Sequence, residues 1–170
     1  IGKYKIIKEL GAGGFGAVYL AEDEKFSEKV AIKVFKIRDE GLAQQATSAT
    51  SDAGEVLRQR FLTEAKVLRQ LSTNPNIIDV FDFDELEDGT PYYVMPYLGQ
   101  SLRQRLGSDS TDVSVLAELD ADDKPKSLPV NQALLYLEQL LIALKDVHKA
   151  KLVHRDIKPH NVLISEAGTI

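Results

Sequence analysis

His154-Arg155-Asp156-Ile157-Lys158-Pro159-His160-Asn161 is the stretch from which the 170-residue chain is best read. It sets a carboxylate, a cation and an amide within one short loop and runs into the apolar Val162-Leu163-Ile164. Asp156 is suited to accept a hydroxyl proton. Asn161 can ligate Mg²⁺ through its carbonyl, and Lys158 can neutralise a phosphoryl group. A merely solvated polar loop would not need so long and specific a string.

Upstream, a helical pattern starts at Pro129, a residue suited to a first turn, and runs to about Lys149. Leu134, Leu135, Leu137, Leu140, Leu141, Ile142, Leu144 and Val147 cover more than one stripe of it, so burial on several sides is expected. Residues 108–128 hold six acidic and two basic side chains, the pattern of a solvated acidic insertion. A short helix from Ser101 to Leu106 follows the break at Gly99.

The front half reads as β. Tyr4 to Leu10, Ala17 to Ala21 and Val30 to Phe35 predict three strands on short connections, an antiparallel meander. Residues 38–55 are small and polar and read as a loop insertion, with Asp52 and Glu55 spaced as a capping box. The helix that follows reaches about Leu71, with Leu57, Phe61, Leu68 and Leu71 at helical spacing. Ile77 to Phe83 and Tyr92 to Met95 predict two more strands about a turn at 87–90. The class is α+β: a β-rich front half with one helix, then a helical back half, with the crossover near Leu98 and Gly99.

A net charge of −5 and a pI near 5.3 argue against a nucleic-acid partner. With no cysteine there is no disulfide, thiolate zinc site or cysteine nucleophile. No apolar run is long enough to span a bilayer, no secretory signal opens the chain, and no internal repeat is visible.

Gly11-Ala12-Gly13-Gly14-Phe15-Gly16 fits G-x-G-x-x-G, which alone equally marks a plain hairpin. In a dinucleotide-binding fold the motif would open a helix, with an acid about 20 residues on. Here a strand follows and Lys33 stands near the acid's place. The glycines therefore bend a strand–turn–strand flap whose backbone N–H groups can approach phosphate oxygens. Lys33 ends an apolar strand and shares a face with Ala31. It is either an edge lysine with its head in water or a cation held over phosphates. Glu64 lies on or beside the apolar stripe of its helix. It either faces water or pairs, and Lys33 is the cation it would pair with.

Taken in order, these motifs make the chain resemble the N-terminal part of a eukaryotic-type serine/threonine protein kinase domain, across almost all 170 residues. The resemblance implies an antiparallel-sheet N-lobe with the family's αC helix over 1–98, hinge included, and the start of a helical C-lobe over 99–170. It implies that the glycine loop (Gly11, Gly13, Gly16, with Phe15 at its tip) covers the phosphates of ATP. Lys33 would contact the α- and β-phosphates and pair with Glu64, Asp156 would orient the substrate hydroxyl, and Asn161 would bind Mg²⁺. Leu10, Val18, Ala31, Met95 and Leu163 would surround the adenine, with Met95 as gatekeeper. Leu68, Val80 and His154 resemble members of the family's regulatory spine. Lys158, two residues after Asp156, resembles the Ser/Thr pattern rather than the tyrosine one, and the wording of the first strand and glycine loop is similar to bacterial members.

Three departures qualify the resemblance. Pro96 replaces a common acidic hinge residue but keeps the carbonyl that position uses, with Leu98 supplying the remaining hinge N–H and C=O. Ser101 is the candidate for the ribose. His160 replaces a common glutamate, with no catalytic role implied. No Asp-Phe-Gly follows Asn161. The chain therefore reads as a piece of a longer kinase, inactive alone and exposing the leucines of the 129–149 helix at roughly 1.5–3 kcal/mol each. The implied cofactors are ATP and Mg²⁺, the implied partner is a protein bearing Ser or Thr, and the expected location is cytoplasmic unless an anchor lies outside these residues. The competing readings are a pseudokinase acting as a nucleotide-binding scaffold and a small-molecule kinase of related fold.

Overall fold

The computed structural model describes residues 1–13, 16–36 and 53–170. The chain forms two compact units, one of residues 1–73 with 77–97 and the other of 74–76 with 98–170. Among the described residues no helix is long and apolar enough to cross a membrane.

The first unit is a five-stranded sheet and one helix. Strands β1 (Tyr4–Gly13), β2 (Gly16–Asp23), β3 (Glu28–Phe35), β4 (Asp82–Glu85) and β5 (Pro91–Pro96) pair antiparallel in the order β1-β2-β3-β5-β4. The three-strand meander is as the alternation predicts. Val30, Ala31, Ile32 and Val34 of β3 are all buried, because side chains pack on both faces of this central strand. One face holds Tyr4, Ala21, Val30, Ile32, Val34, Tyr92 and Val94. The other takes helix α1 (Ala53–Gln70), whose Phe61 and Ala65 pack on Tyr93 and Val80 with Leu68 and Met95 alongside. Full burial of a side chain the size of Phe61 stabilises by about 1.5–3 kcal/mol. Glu55 in the first turn and Arg69 in the last complement the helix dipole. Asp52 of the expected capping box, and nearly all of the 38–55 insertion, lie outside the described residues.

The strand expected over 77–83 is a correction: β4 begins only at Asp82. The Val80 N–H donates to Asp79 Oδ1 at 2.7 Å, and Arg69 donates to the Val80 carbonyl at 2.5 Å. Side chains thus satisfy backbone groups that a ladder would otherwise pair. The Phe81 N–H, bonded to the Val94 carbonyl at 2.8 Å, makes the contact next to the strand.

At the far end of β2, Asp23 is 6% exposed. Burial works to raise its pKa. The Lys25 N–H at 2.9 Å and the Lys3 ammonium at 3.4 Å overcome that, and the carboxyl ends below its ordinary value. A depressed carboxylate stabilises the fold above its unfolded pKa and loses that contribution as pH falls through the folded one. Asp23→Asn is therefore expected to flatten the acid side of the stability profile. Chemical denaturation from pH 7 down to pH 2 checks this, and a slope matching the parent's would contradict it.

The second unit holds β6 (Gln100–Ser101) paired with β7 (Leu163–Ile164), and helices α2 (Leu102–Leu106), α3 (Val113–Glu118) and α4 (Val130–Lys149). The acidic segment is not all loop: Asp112 caps α3 through the Ser114 N–H at 2.9 Å. Its two ends are tied by Ser108 N–H to Asp123 O at 2.7 Å and Lys126 N–H to Leu106 O at 2.8 Å. Helix α4 buries Tyr136, Ala143 and Val147 on one side, while Leu134, Leu137 and Leu141 are each more than half exposed. Burial on several sides is thus not realised, because the segments packed on α4 within this unit cover a single face. Asn74, itself buried, donates to Asp146 of α4 at 2.7 Å, and the Ile170 N–H donates to Gln139 at 2.9 Å.

Candidate active site

Sheet register assembles the first group of candidate residues. Gly11 pairs with Val18, Val18 with Lys33, and Lys33 with Tyr93, a single row running across four strands. One row along the same face, Ala31 pairs with Met95, and Val30 pairs with Pro96 at the strand end. Gly13 faces Gly16 at the tip of the β1–β2 hairpin. Leu10 lies on β1 and is partly exposed. Phe15 lies outside the described residues.

A Cβ on Gly16 would stand 2.9 Å from the Val34 carbonyl oxygen and 3.4 Å from Lys33 Cε, so any larger residue would push β3 and its lysine aside. A Cβ on Gly11 or Gly13 would meet nothing within 4 Å. Among the described residues the space there is open.

Lys33 Nζ donates to Glu64 Oε1 at 2.6 Å. The glutamate does not face water alone: the pairing alternative is the one the structure adopts. The ammonium also lies 5.9 Å from the Phe61 ring centroid and 5.7 Å from that of Tyr93. The two side chains are 23% and 45% exposed, so the pair contributes only about 0–1 kcal/mol to stability.

Sequence reasoning missed Tyr93. Its Oη donates to the same Glu64 oxygen at 2.7 Å. No sequence signal marks it: Tyr93 is the direct cross-strand neighbour of Lys33, and that follows from the strand register.

The second group lies in the other unit, on the loop after α4 and a 3₁₀ turn at Pro159–Asn161. Lys158 Nζ is 3.0 Å from Asp156 Oδ2, and Asn161 Nδ2 donates to the same oxygen and to the Asp156 carbonyl, each at 2.9 Å. The Asp156 N–H donates to His154 Nδ1 at 3.3 Å, and Arg155 takes a left-handed φ of 64° that turns the loop. Lys158 first, and Asn161 with it, hold the Asp156 carboxyl below the usual carboxylate range. It is a carboxylate throughout the neutral range, ready to accept a hydrogen bond from a hydroxyl.

With its amide nitrogen engaged by Asp156, Asn161 presents its carbonyl oxygen, a hard donor suited to Mg²⁺. Among the described residues there is no group of three or more acidic or histidine side chains that could hold a metal by itself.

Leu163 pairs with Ser101 between β7 and β6. The Ser101 hydroxyl oxygen accepts the Gln104 N–H at 3.3 Å and Gln104 Oε1 accepts the Ser101 N–H at 2.8 Å, a closed capping box on α2. The Leu98 carbonyl accepts the Gln100 N–H at 3.0 Å.

Comparison with known proteins agrees with these features. The family model for the protein kinase domain matches residues 4–170. The serine/threonine-protein kinase PrkC of Bacillus subtilis is 33% identical over 170 residues, 99% of this chain and 22% of PrkC. PknD of Chlamydia trachomatis, also a serine/threonine-protein kinase, is 33% identical over 171 residues, 99% of this chain and 16% of its own length. PksC of Streptomyces coelicolor is 36% identical over 173 residues, again 99% of this chain and 27% of that protein. The chain thus spans about a quarter or less of the length of these bacterial relatives.

Proposed function

The chain belongs to the protein kinase domain family, and on that premise we propose that it is the front part of an ATP-dependent serine/threonine protein kinase. Residues 1–98 would be the N-lobe and hinge, and 99–170 the start of the C-lobe. The observation that carries the proposal is the Asp156–Lys158–Asn161 cluster, in which one carboxylate oxygen is held ionised by a lysine and an amide. A carboxylate so held is a weak base. It suits a reaction in which the acceptor hydroxyl is oriented and loses its proton late.

In this reading a Ser or Thr hydroxyl of a protein donates its hydrogen bond to Asp156. Its oxygen bonds to the γ-phosphorus of ATP, the bond from that phosphorus to the β–γ bridging oxygen breaks, and ADP leaves. The hydroxyl proton passes to Asp156. Lys33, oriented by Glu64, would lie against the α- and β-phosphates, and Lys158 would offset charge on the transferring group. The glycine hairpin would cover the phosphates. Leu10, Val18, Ala31, Met95 and Leu163 would enclose the adenine, Pro96 and Leu98 would bond its edge, and Ser101 would face the ribose. Mg²⁺, when bound through Asn161 and the phosphates, supplies charge neutralisation. No residue after Asn161 supplies an Asp-Phe-Gly aspartate, so these 170 residues on their own are expected to be inactive.

The test is phosphotransfer from γ-labelled ATP by the full-length protein, read by phosphoamino-acid analysis. Phosphoserine or phosphothreonine supports the proposal. Nucleotide binding without transfer to any protein acceptor would overturn it.

The lowered Asp156 pKa adds a pH signature. Removing Lys158 removes the first cause of the depression, so the Asp156 pKa rises toward the ordinary value. In Lys158→Ala, besides a lower rate, the acid limb of kcat/KM is therefore expected to move to higher pH. An unmoved limb would show that the lysine does not set the carboxylate's ionisation.

A further inference from the structure

Tyr93 is buried to within 1% of its surface, yet carries a hydroxyl aimed at a partly exposed carboxylate. Nothing in the hydrophobic packing of β5 against α1 requires that oxygen. The ring alone makes the packing contacts, at 5.2 Å centroid to centroid from Phe61. The hydroxyl and the Lys33 ammonium converge on one atom, Glu64 Oε1, at 2.7 and 2.6 Å. They reach it from directly opposed positions on neighbouring strands.

We propose that Tyr93 is a positioning residue for phosphotransfer: its hydroxyl holds the Glu64 carboxylate in place, and through it the Lys33 ammonium. This rests on the kinase reading above, because it assigns Lys33 and Glu64 their roles.

The two partners of Glu64 differ in stiffness. Lys33 is a long, flexible cation that must divide its hydrogen bonds between Glu64 and a phosphate. A half-exposed ion pair holds such a geometry weakly. Tyr93 differs in both respects. Its ring is fixed by packing, and burial, with the Glu64 charge facing it, pushes the phenol well above its ordinary pKa, so it stays a donor wherever the protein is folded. When Lys33 turns toward phosphate, Glu64 keeps a neutral, rigid partner. A plain phenylalanine would fill the same space without doing so.

The experiment uses the full-length protein and the variant Tyr93→Phe, which keeps the ring and removes the oxygen. Tyr93→Leu, which removes the ring, is the structural control. Two readouts are made. One is kcat and KM for MgATP and for a peptide acceptor. The other is the rate of Lys33 acylation by an N-hydroxysuccinimide ester without nucleotide, located by mass spectrometry and referenced to exposed Lys29. For Tyr93→Phe, kcat is expected to fall about tenfold to a hundredfold, the scale of a lost hydrogen bond to a charged group, with the acceptor KM unchanged. Lys33 acylation is expected to rise severalfold against Lys29, with the melting temperature nearly unchanged. Tyr93→Leu is expected to lower the melting temperature as well. An unchanged kcat in Tyr93→Phe, or an unchanged Lys33 acylation rate, would overturn the proposal. If the parent protein transfers no phosphate, the kinase reading fails on that result alone, and the acylation arm still decides whether Tyr93 holds the pair.

Discussion

Asp156→Asn in the full-length protein is expected to lower kcat about 10³-fold, within the 10²–10⁴ span of a positioned general base, while nucleotide affinity and melting temperature stay close to the parent's. Asparagine matches the carboxylate in shape, and its carbonyl can still accept from Lys158 or from Asn161, both now bonded to Asp156 Oδ2. The backbone bonds that shape the loop are untouched: the Asp156 N–H still meets His154 Nδ1, and the Asp156 carbonyl still accepts from Asn161. What disappears is the charge that attracts a hydroxyl proton. At about 1.4 kcal/mol per factor of ten, the loss is roughly 4 kcal/mol of transition-state stabilisation. Steady-state kinetics beside calorimetric nucleotide binding separate the cases. If kcat stays within tenfold of the parent's, Asp156 is not the residue that orients the acceptor. If affinity and melting collapse with the rate, the residue is structural.

That prediction was legible because eight consecutive residues carry it and their contacts are local. Lys33 and Glu64 were legible in a weaker way. Spacing placed each on its element and left the carboxylate either to pair or to face water, and only the fold decided between the two. Tyr93 was not legible. Alternation along β5 says which residues share a face; it does not say which residue of β3 stands opposite, and register is a property of two strands. The 77–83 segment misled for a related reason. Ile77, Ile78, Val80 and Phe81 look like a strand, while Asp79 and Arg69 take up the hydrogen bonds a ladder would make. Helix α3 hides because Val113 and Val115 are exposed and give no buried stripe, although Asp112 is a cap signal that could have found it.

Lys33→Met is expected to have the second large effect, about 10²–10³-fold in kcat/KM, the cost of removing one preorganised charge from a transferring phosphoryl group. The substitution disturbs little else. Methionine is as long as the lysine stem and flexible enough to lie where it lies, against Phe61 and Tyr93. The ion pair it removes is partly exposed and holds the fold by about 0–1 kcal/mol at most. Glu64, at 45% exposed, is not stranded in a dry core, and it keeps the Tyr93 hydroxyl. The melting temperature should therefore move by only a few degrees while the rate falls by orders of magnitude. That dissociation is what marks a charge placed for a ligand rather than for the fold. The reverse result, a large drop in melting temperature with kcat/KM per folded molecule intact, would make the Lys33–Glu64 pair a brace between β3 and α1. It would also withdraw the assignment of Lys33 to the nucleotide phosphates.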